Sequence, residues 1–212
     1  MEKKHRETPQ EKLTRLTQIE NALWDRGLRI AGIDEVGRGP LAGPVVTACV
    51  SIPREHLVLG VDDSKKLSEK RREALYDQLR DAADYCETCF IDPETIDQIN
   101  ILNATKRAME ACGAGFNGIF LVDAVTGLQL PGEIRSLVHG DALSYMIGAA
   151  SIIAKVTRDR YMIALDEKYP MYGFARNKGY GTAEHIAALR KYGPCPEHRR
   201  SFIKSFWTDA HE

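Results

Sequence analysis

The sequence has few cysteines, no long apolar run and no excess of one charge. Its five cysteines, an odd number, are spread from Cys49 to Cys195, which argues against a disulfide framework and favours a reducing compartment. The longest apolar stretch, 147–154, includes a glycine and a serine and is far shorter than the ~20 residues that span a bilayer. No apolar segment follows the charged N-terminus, so a secretory signal is not expected. These absences predict a cytoplasmic protein without a membrane partner.

The net charge gives no global indication of a nucleic-acid partner. The formal charge is −1 at pH 7, whereas proteins that bind polyanions are usually basic. The distribution is less neutral, because residues 151–212 contain 11 Lys and Arg against 7 Asp and Glu. A basic run, KKLSEKRR at 65–72, lies within the acidic remainder of the chain. Such a run is more often the solvated start of a helix than a phosphate-binding surface, and both interpretations stay open here.

Several common functional motifs are also missing. The chain has no Gly-x-Ser-x-Gly elbow and no P-loop, and Pro40 interrupts a possible dinucleotide fingerprint. Cys86 and Cys89 have CxxC spacing without a second pair, and on a strand their thiols would point to opposite faces. A zinc or redox site is therefore not expected there. Histidines without ligand spacing, interpreted mostly as surface or packing residues, are His5, His56, His139, His185, His198 and His211.

The hydrophobic pattern predicts an α/β fold. Helices are expected over 11–25, from an N-cap at Ser68, and over 95–112, 142–168 and 182–192. Strands are expected over 28–34, 45–52, 85–91, 119–123 and 134–138. Strands come first and then alternate with helices, which predicts a mixed sheet covered by helices in one domain. The glycines and prolines of 37–44 exclude regular structure in that segment.

Four carboxylates follow predicted strands: Asp34, Glu35, Asp123 and Asp141. Because chemistry in such sheets gathers at the carboxyl ends of strands, we expect them to share one small volume. Crowded like charges are costly unless a cation neutralises them, and a site made only of carboxylates suits Mg²⁺ or Mn²⁺. Two such ions ~3.5–4 Å apart can activate water and stabilise the leaving oxygen of a phosphodiester. Each acid alone is more simply a strand end or a helix cap, but the set favours a metal site.

Two glycine-containing segments are candidates for ligand contact. Gly37-Arg38-Gly39-Pro40 directly follows the acidic pair, and glycines let backbone N–H groups approach hydroxyl or phosphate oxygens. A structural turn is the alternative for this segment. Tyr180 lies between two glycines in a basic loop, where an exposed ring could stack on a sugar or base. The alternative is a tyrosine that packs beneath its own turn.

Five motifs occur in order along the chain: AGIDEVGRGPLAGP at 31–44, DSKKLS at 63–68, AASIIAKVTRD at 149–159, GYGT at 179–182 and HRRSF at 198–202. Together they closely resemble the bacterial ribonuclease HII family, and the first motif alone is highly specific. The resemblance implies an N-terminal helical extension over 1–27, of a kind that many members carry. Over 28–212 it implies a ribonuclease H-like catalytic domain, with a mixed sheet covered by helices on both faces and a helical C-terminal part.

The resemblance also implies a function. The protein is expected to be a monomeric endonuclease that hydrolyses the RNA strand of RNA–DNA hybrids. It is also expected to cleave 5′ to single ribonucleotides embedded in duplex DNA, leaving 3′-hydroxyl and 5′-phosphate ends. The implied catalytic acids, which would bind Mg²⁺ or Mn²⁺ and hold two ions during catalysis, are Asp34, Glu35, Asp123 and Asp141.

The same resemblance assigns substrate contacts residue by residue. The segment that senses the ribose 2′-hydroxyl corresponds to Gly37, Arg38 and Gly39. Tyr180 corresponds to a tyrosine that packs on the deoxyribose following the ribonucleotide. Contacts to backbone phosphates are implied for Ser64, Lys65, Lys155, Arg199 and Arg200.

Two departures from the family pattern and two alternative functions accompany this assignment. His139 stands where Lys or Arg is usual, which could weaken a phosphate contact or make it depend on pH. Ala124 follows Asp123 where glycine is common, so a different loop is expected. One alternative is a metal-dependent exonuclease, or another polynucleotide transferase, on the same acidic scaffold. The other is a hybrid-binding protein without catalysis, against which the four intact acids argue.

Overall fold

The computed structural model describes residues 7–207, and five strands in it form one mixed sheet. The strands are β1 (Ile30–Val36), β2 (Val45–Ser51), β3 (Tyr85–Ile91), β4 (Ile119–Asp123) and β5 (Glu133–Leu137). Their order across the sheet is β3-β2-β1-β4-β5. The β1–β2 and β2–β3 pairs are antiparallel, whereas the β1–β4 and β4–β5 pairs are parallel. The predicted strands and the mixed sheet are confirmed.

Ten α-helices surround this sheet within the described residues. They are α1 (Pro9–Leu16), α2 (Gln18–Trp24), α3 (Glu69–Ala82), α4 (Pro93–Ile99), α5 (Ile101–Gly113), α6 (Gly140–Leu143), α7 (Tyr145–Lys168), α8 (Phe174–Asn177), α9 (Ala183–Tyr192) and α10 (Arg200–Ile203). One-turn 3-10 helices lie at Arg54–His56 and Pro170–Tyr172. The C-terminal part is helical, as predicted, and 37–44 contains no helix or strand.

Three predicted helices are wrong in that each is divided in two. The first breaks at Thr17, whose hydroxyl donates to the Leu13 carbonyl at 2.9 Å. The second breaks at Asn100, which has a φ of 64° and caps α5 by accepting from the Asn103 N–H. The third breaks at Ser144, an extended residue that caps α7. At Asn100 and Ser144 the side chain caps the following helix, and so offers the backbone a local partner that competes with continuation of the preceding one.

Helices cover both faces of the sheet. On one face α7 packs against β1 and β2, where Ile30 and Ala48 belong to a buried cluster with Ile147. On the other face Ile33 is buried with Met109 of α5. Close approach of α7 requires Gly32, because a Cβ there would lie 2.1 Å from the backbone carbonyl carbon of Met146. The predicted two-faced packing is confirmed.

The N-terminal helices pack on the same core as α7. Leu16 and Leu23 are buried in its cluster, and the buried Glu20 carboxylate accepts from the Ser144 hydroxyl at 2.6 Å. The predicted boundary at residue 27 remains a prediction. Residues 1–6 and 208–212, including His5 and His211, lie outside the described residues. Among residues 7–207 no helix has the length and apolar character needed to cross a membrane.

Candidate active site

Four acidic residues lie at one edge of the sheet. Asp34 and Glu35 are near the end of β1, and Asp123 is the last residue of β4. The parallel pairing of Ile33 with Val122 brings the two strand ends to the same level. Asp141 follows β5 within α6, whose first residue donates its N–H to Asp123 Oδ1 at 2.8 Å. The acids predicted from separate strand ends are therefore neighbours.

Mutual repulsion and burial dominate the electrostatics of this edge. Burial, followed by the charge of Glu35, raises the pKa of Asp34 well above its ordinary value. Burial also raises the pKa of Glu35, against the opposing effect of Arg38. Burial and the nearby charges of Asp63 and Asp123 raise the pKa of Asp141. Such shifts are typical of carboxylates that share a site, and a bound cation would remove the repulsion.

The donor chemistry fits a hard divalent cation. Among residues 7–207, no three acidic, histidine or cysteine side chains already form a metal-binding cluster. The four acids offer carboxylate oxygens alone, the ligands that Mg²⁺ and Mn²⁺ prefer. Two side chains of opposite charge border them: Arg38 lies 3.3 Å from a Glu35 oxygen, and the exposed Lys65 ammonium lies 3.8 Å from an Asp141 oxygen. The residues thus fit the predicted metal. At 3.8 Å, the Lys65 ammonium is too far from Asp141 to take the place of a directly bound cation.

A pair of serines supports Asp34. The Ser151 hydroxyl lies near the Asp34 carboxylate and lowers its pKa against the larger effect of burial, and it is 2.9 Å from the Ser64 hydroxyl. Ser64 is buried, and its carbonyl accepts from Arg72 at 2.9 Å. The hydroxyl of Ser64 is engaged by Ser151, and its expected phosphate contact stays a prediction. Asp34 is the most buried of the four acids, and its Oδ1 accepts from the Glu35 N–H at 2.8 Å.

Arg199 departs from its expected position at the surface. Its side chain is completely buried, and it donates to the carbonyls of Gly37 at 2.6 Å, Arg38 at 3.0 Å and Gly43 at 2.8 Å. Burial lowers the pKa of the guanidinium to about 9. Most of its N–H donors are thus engaged by loop carbonyls, and its expected phosphate contact stays a prediction. Its role is to support the segment 37–43 from inside.

Arg158 of α7 is a second buried arginine, and sequence reasoning missed its role. It donates to the carbonyls of Pro44 at 2.9 Å, Ala42 at 3.1 Å and Lys178 at 2.8 Å. It therefore joins the segment 37–44 to the loop that carries Tyr180. A direct bond from the Leu41 N–H to the Gly179 carbonyl, at 2.8 Å, reinforces the connection. Its sequence neighbours gave no signal of this burial, because Arg158 lies in the polar run TRDR at 157–160.

The outer surface of these two loops consists of Gly39 and Tyr180. The Tyr180 side chain is 44% exposed and does not pack beneath its own turn. A Cβ at Gly39 would have Tyr180 Cε1 as its nearest neighbour, at 3.9 Å. Gly37 differs, because its φ is +91° and a Cβ there would lie 2.3 Å from Arg158 Nε. Gly37 is thus required by the protein itself, whereas Gly39 leaves open space.

Of the other basic side chains expected to contact phosphates, some are exposed to solvent and one is already in an ion pair. Lys65 is 83% exposed beside the acids, and Arg200 is exposed with its guanidinium 5.6 Å from the Trp207 ring centre. Lys155 is half-buried and forms a 2.6 Å ion pair with Asp159, and burial lowers the pKa of its ammonium. The run 65–72 does lead into α3, which Ser68 caps. Lys65 nevertheless precedes that helix and faces the acidic edge.

The two departures from the family pattern share a backbone feature. Ala124 has a φ of 50° and His139 a φ of 59°, and both values lie in the left-handed region that favours glycine. The loop after Asp123 therefore keeps a glycine-like conformation although its residue is alanine. His139 is exposed immediately before α6.

The cysteines and histidines of residues 7–207 agree with their interpretation as packing or surface residues. Cys86 and Cys89 are free thiols that pack in clusters on opposite faces of the sheet. His56 and His139 are exposed. His185 and His198 are buried and in contact with one another, a pairing that their spacing did not indicate.

Comparison with known sequences places this arrangement in a family. The family model for ribonuclease HII matches residues 31–210. Ribonuclease HII of Acetivibrio thermocellus is 52% identical over 191 residues, which cover 88% of this chain and 75% of the relative. Ribonuclease HII of Enterococcus faecalis is 53% identical over 190 residues, which cover 88% of this chain and 74% of the relative.

Solved structures agree. Ribonuclease HII of Archaeoglobus fulgidus, solved in complex with PCNA, has a TM-score of 0.72 at 26% identity, covering 86% of this chain and 98% of that one. Ribonuclease H2 of Pyrococcus horikoshii has a TM-score of 0.71 at 27% identity, covering 84% and 97%. Bst-RNase HIII, solved with Mn²⁺, shares the fold, with a TM-score of 0.67 at 17% identity over 84% of this chain and 68% of that one. The chain belongs to the ribonuclease HII family, endoribonucleases that degrade the RNA of RNA–DNA hybrids.

Proposed function

We propose that this protein, besides degrading the RNA of hybrids, cleaves 5′ to a single ribonucleotide embedded in duplex DNA and leaves 3′-hydroxyl and 5′-phosphate ends. The observation that carries the proposal is the connection between the acidic edge and the exposed pair Gly39 and Tyr180. Gly39 lies four residues after Glu35, in the segment that follows β1. Arg158 joins this segment to the loop that carries Tyr180. The residues that would recognise the sugar are thereby held at a fixed position relative to the acids that would cleave the strand.

The acids Asp34, Glu35, Asp123 and Asp141 would hold Mg²⁺ or Mn²⁺, with two ions during catalysis. Bound there, the metal supplies an activated water and neutralises charge on the phosphodiester. The Ser151 hydroxyl, near Asp34 and 2.9 Å from the Ser64 hydroxyl, would help to hold that carboxylate in place. Burial and, after it, repulsion between neighbouring acids raise the pKa of Asp34, Glu35 and Asp141, which supports a cation-binding role for them.

Recognition of a lone ribonucleotide depends on its 2′-hydroxyl, since this group alone distinguishes it from DNA. Backbone groups of 37–39 can approach a sugar closely because Gly39 has no side chain and is exposed. The ring of Tyr180, directly beside Gly39, would then cover the next sugar. A flat fit to that sugar requires deoxyribose, so the tyrosine would favour an RNA–DNA junction.

Backbone phosphates would be bound by the exposed basic side chains Lys65 and Arg200. Lys65 also borders Asp141, so a phosphate bound by its ammonium would lie close to the acidic edge. Lys155 remains a candidate only through release of its ion pair with Asp159.

The decisive experiment uses covalently closed circular DNA that contains one ribonucleotide, with Mg²⁺ or Mn²⁺ present. The proposal predicts one nick, mapped immediately 5′ to the ribonucleotide, that DNA ligase can reseal without prior end repair. An all-DNA circle and the Asp34→Asn variant serve as controls and should give no nick. An exonuclease would leave the circle intact because it needs an end, and a binding protein would retard the circle without cutting it.

A further inference from the structure

A chain of hydrogen bonds connects the C-terminal segment to Tyr180 through two buried histidines. The Cys195 N–H lies 3.1 Å from His198 Nδ1, and the Cys195 sulfur lies 3.2 Å from the same atom. His198 Nε2 is 3.0 Å from His185 Nε2. His185 Nδ1 is 2.9 Å from the carbonyl oxygen of Tyr180. Thus each ring nitrogen of both imidazoles has a partner.

The partners at the two ends fix the position of every proton in this chain. His198 Nδ1 faces a backbone N–H and a thiol, so it must be the unprotonated nitrogen of its ring. Its proton therefore lies on Nε2 and is donated to His185 Nε2. That leaves the His185 proton on Nδ1, where a carbonyl can only accept it. The assignment from either end is the same: two neutral imidazoles of opposite tautomer, both donating toward Tyr180.

Aromatic packing holds the two imidazole rings in this orientation. The ring of Tyr172 meets His198 edge-on at 4.7 Å between centres, and Phe174 meets His185 edge-on at 5.4 Å. Tyr172 and Phe174 are themselves buried and stacked at 5.3 Å. The bond from His185 therefore originates from a rigid support, whereas Tyr180 lies in a loop with a glycine on either side.

We infer that His185 and His198 are positioning residues for junction recognition, which fix the Tyr180 backbone so that its exposed ring stays beside Gly39. The inference rests on the proposed role of Tyr180 and extends it to residues that contact no substrate. The Tyr180 carbonyl also accepts from the Thr182 N–H at 2.8 Å, but that bond lies within the loop itself. The His185 bond is the one that ties the carbonyl to a helix, α9.

The proton assignment has a direct spectroscopic test. In ¹⁵N-labelled protein at pH 7, the imidazole resonances should show His185 protonated at Nδ1 alone and His198 protonated at Nε2 alone. Single substitutions at each position assign the signals. Two rings with the same tautomer, or a charged ring at pH 7, would overturn the inference, because the hydrogen bonds would then run in another direction.

The functional test uses two substitutions at His185 that each remove one of its two hydrogen bonds. His185→Asn can place an amide N–H near Nδ1 and keep the donor to Tyr180, whereas His185→Gln reaches the Nε2 position and loses that donor. The measured quantity is the ratio of kcat/KM on duplex DNA with one ribonucleotide to kcat/KM on an all-RNA hybrid. We expect His185→Gln to lower this ratio about threefold to tenfold, the effect of one hydrogen bond. His185→Asn should stay close to the unsubstituted protein.

A double substitution separates this inference from the proposal on which it rests. His185→Gln should lower the ratio no further when Tyr180→Ala is already present, because the two changes remove the same contact. A ratio unaffected by Tyr180→Ala would overturn the junction role of Tyr180. A ratio lowered by Tyr180→Ala but not by His185→Gln would overturn the positioning role of the histidines alone. Equal losses in His185→Asn and His185→Gln would reduce their role to stability and overturn it likewise.

Discussion

Gly39 and Tyr180 face each other across two loops, and a Cβ at residue 39 would lie 3.9 Å from Tyr180 Cε1. This is an ordinary van der Waals distance, so the protein itself does not require glycine at that position. At residue 37 the same Cβ would lie 2.3 Å from the buried Arg158 side chain, and the backbone has a φ of +91°. The two glycines of one motif therefore serve different purposes. Gly37 is required by the backbone conformation and by the nearby Arg158 side chain, whereas Gly39 leaves room at the surface.

This difference predicts opposite outcomes for two alanine substitutions. Gly39→Ala should keep the melting temperature of the unsubstituted protein but lower kcat/KM on every ribonucleotide substrate by at least about tenfold, because the new methyl group keeps the sugar away from the backbone. Gly37→Ala should lower the free energy of unfolding by at least about 1 kcal/mol, since alanine is strained at positive φ. Thermal unfolding and steady-state kinetics measure both. A Gly39→Ala enzyme with full activity would show that the substrate does not approach this backbone.

The adjacent arginines 199 and 200 provide a second matched pair. Arg199→Ala would leave the carbonyls of Gly37, Arg38 and Gly43 without their buried donor. We expect a loss of at least about 2 kcal/mol in unfolding free energy, because unsatisfied buried groups are costly. Arg200→Ala removes an exposed side chain and should change stability by less than about 0.5 kcal/mol while weakening hybrid binding. Urea denaturation and binding titrations would contradict this account if the two variants behaved alike.

Features that depend on local sequence were predictable. An apolar run that ends in a carboxylate marks a strand that reaches this edge of the sheet: Asp123 is the last residue of β4, and Asp34 lies two residues before the end of β1. The division of the first helix at Thr17 was not predictable from its apolar spacing, because Leu16 and Ile19 continue at helical intervals across it. Local pattern therefore located the acids and strands better than the helix ends.

Features that depend on distant backbone groups were not predictable. Arg158 and Arg199 are charged residues that would ordinarily be exposed, and their burial depends on carbonyls from 37–44 and from Lys178. His185 and His198 are likewise satisfied only by each other and by two loop residues. The sequence pattern does not indicate which backbone carbonyls will lack a backbone partner in the folded protein. The resemblance itself placed Arg199 at a phosphate, although the side chain is buried.

Substitution of an acid in the candidate active site should lower activity without lowering stability. Asp34→Asn should lower kcat at least about 100-fold with saturating Mg²⁺, because the amide lacks the charge that holds the cation. The raised pKa of Asp34 means that the folded state loses stability as pH rises through it, once the buried carboxyl must ionise. The amide has no such loss, so at pH 8 without metal the variant should unfold at an equal or higher urea concentration. Lower stability of the variant would contradict the repulsion described above.

The other acids extend that prediction. Glu35→Gln and Asp123→Asn should also lower kcat at least about 100-fold while hybrid binding largely survives, since the proposed phosphate contacts are made by other residues. Asp141→Asn should retain the most turnover at high Mn²⁺, because Asp141 is in the short helix α6 rather than on a strand. Full activity of Glu35→Gln or Asp123→Asn under saturating Mg²⁺ would exclude that residue from the site.

Lys65 should make one phosphate contact that is independent of base sequence. Lys65→Ala is expected to weaken hybrid binding uniformly and to flatten the dependence of log K on log salt concentration by about one unit. Arg54→Ala is the matched control, because Arg54 is exposed beside the beginning of β1, at the sheet edge opposite to Glu35. Binding titrations at several salt concentrations give both slopes. An unchanged slope for Lys65→Ala would make the run at 65–72 a solvated helix start.

The buried histidines predict how stability depends on pH. Burial, then repulsion from Arg200 and from the His185 ring whenever that ring is protonated, lowers the pKa of His198 from 6.5 to about 4. The unfolded chain therefore binds a proton below pH 6.5 that the folded protein does not, so stability falls as pH decreases from 6.5 toward 4. The loss for His198 should approach about 3 kcal/mol. Urea denaturation between pH 7.5 and 4.5 measures this loss. His198→Gln should show a shallower fall in stability. His56→Gln alters an exposed histidine and should show the same fall as the unsubstituted protein. Identical slopes in all three proteins would mean that His198 is not held neutral.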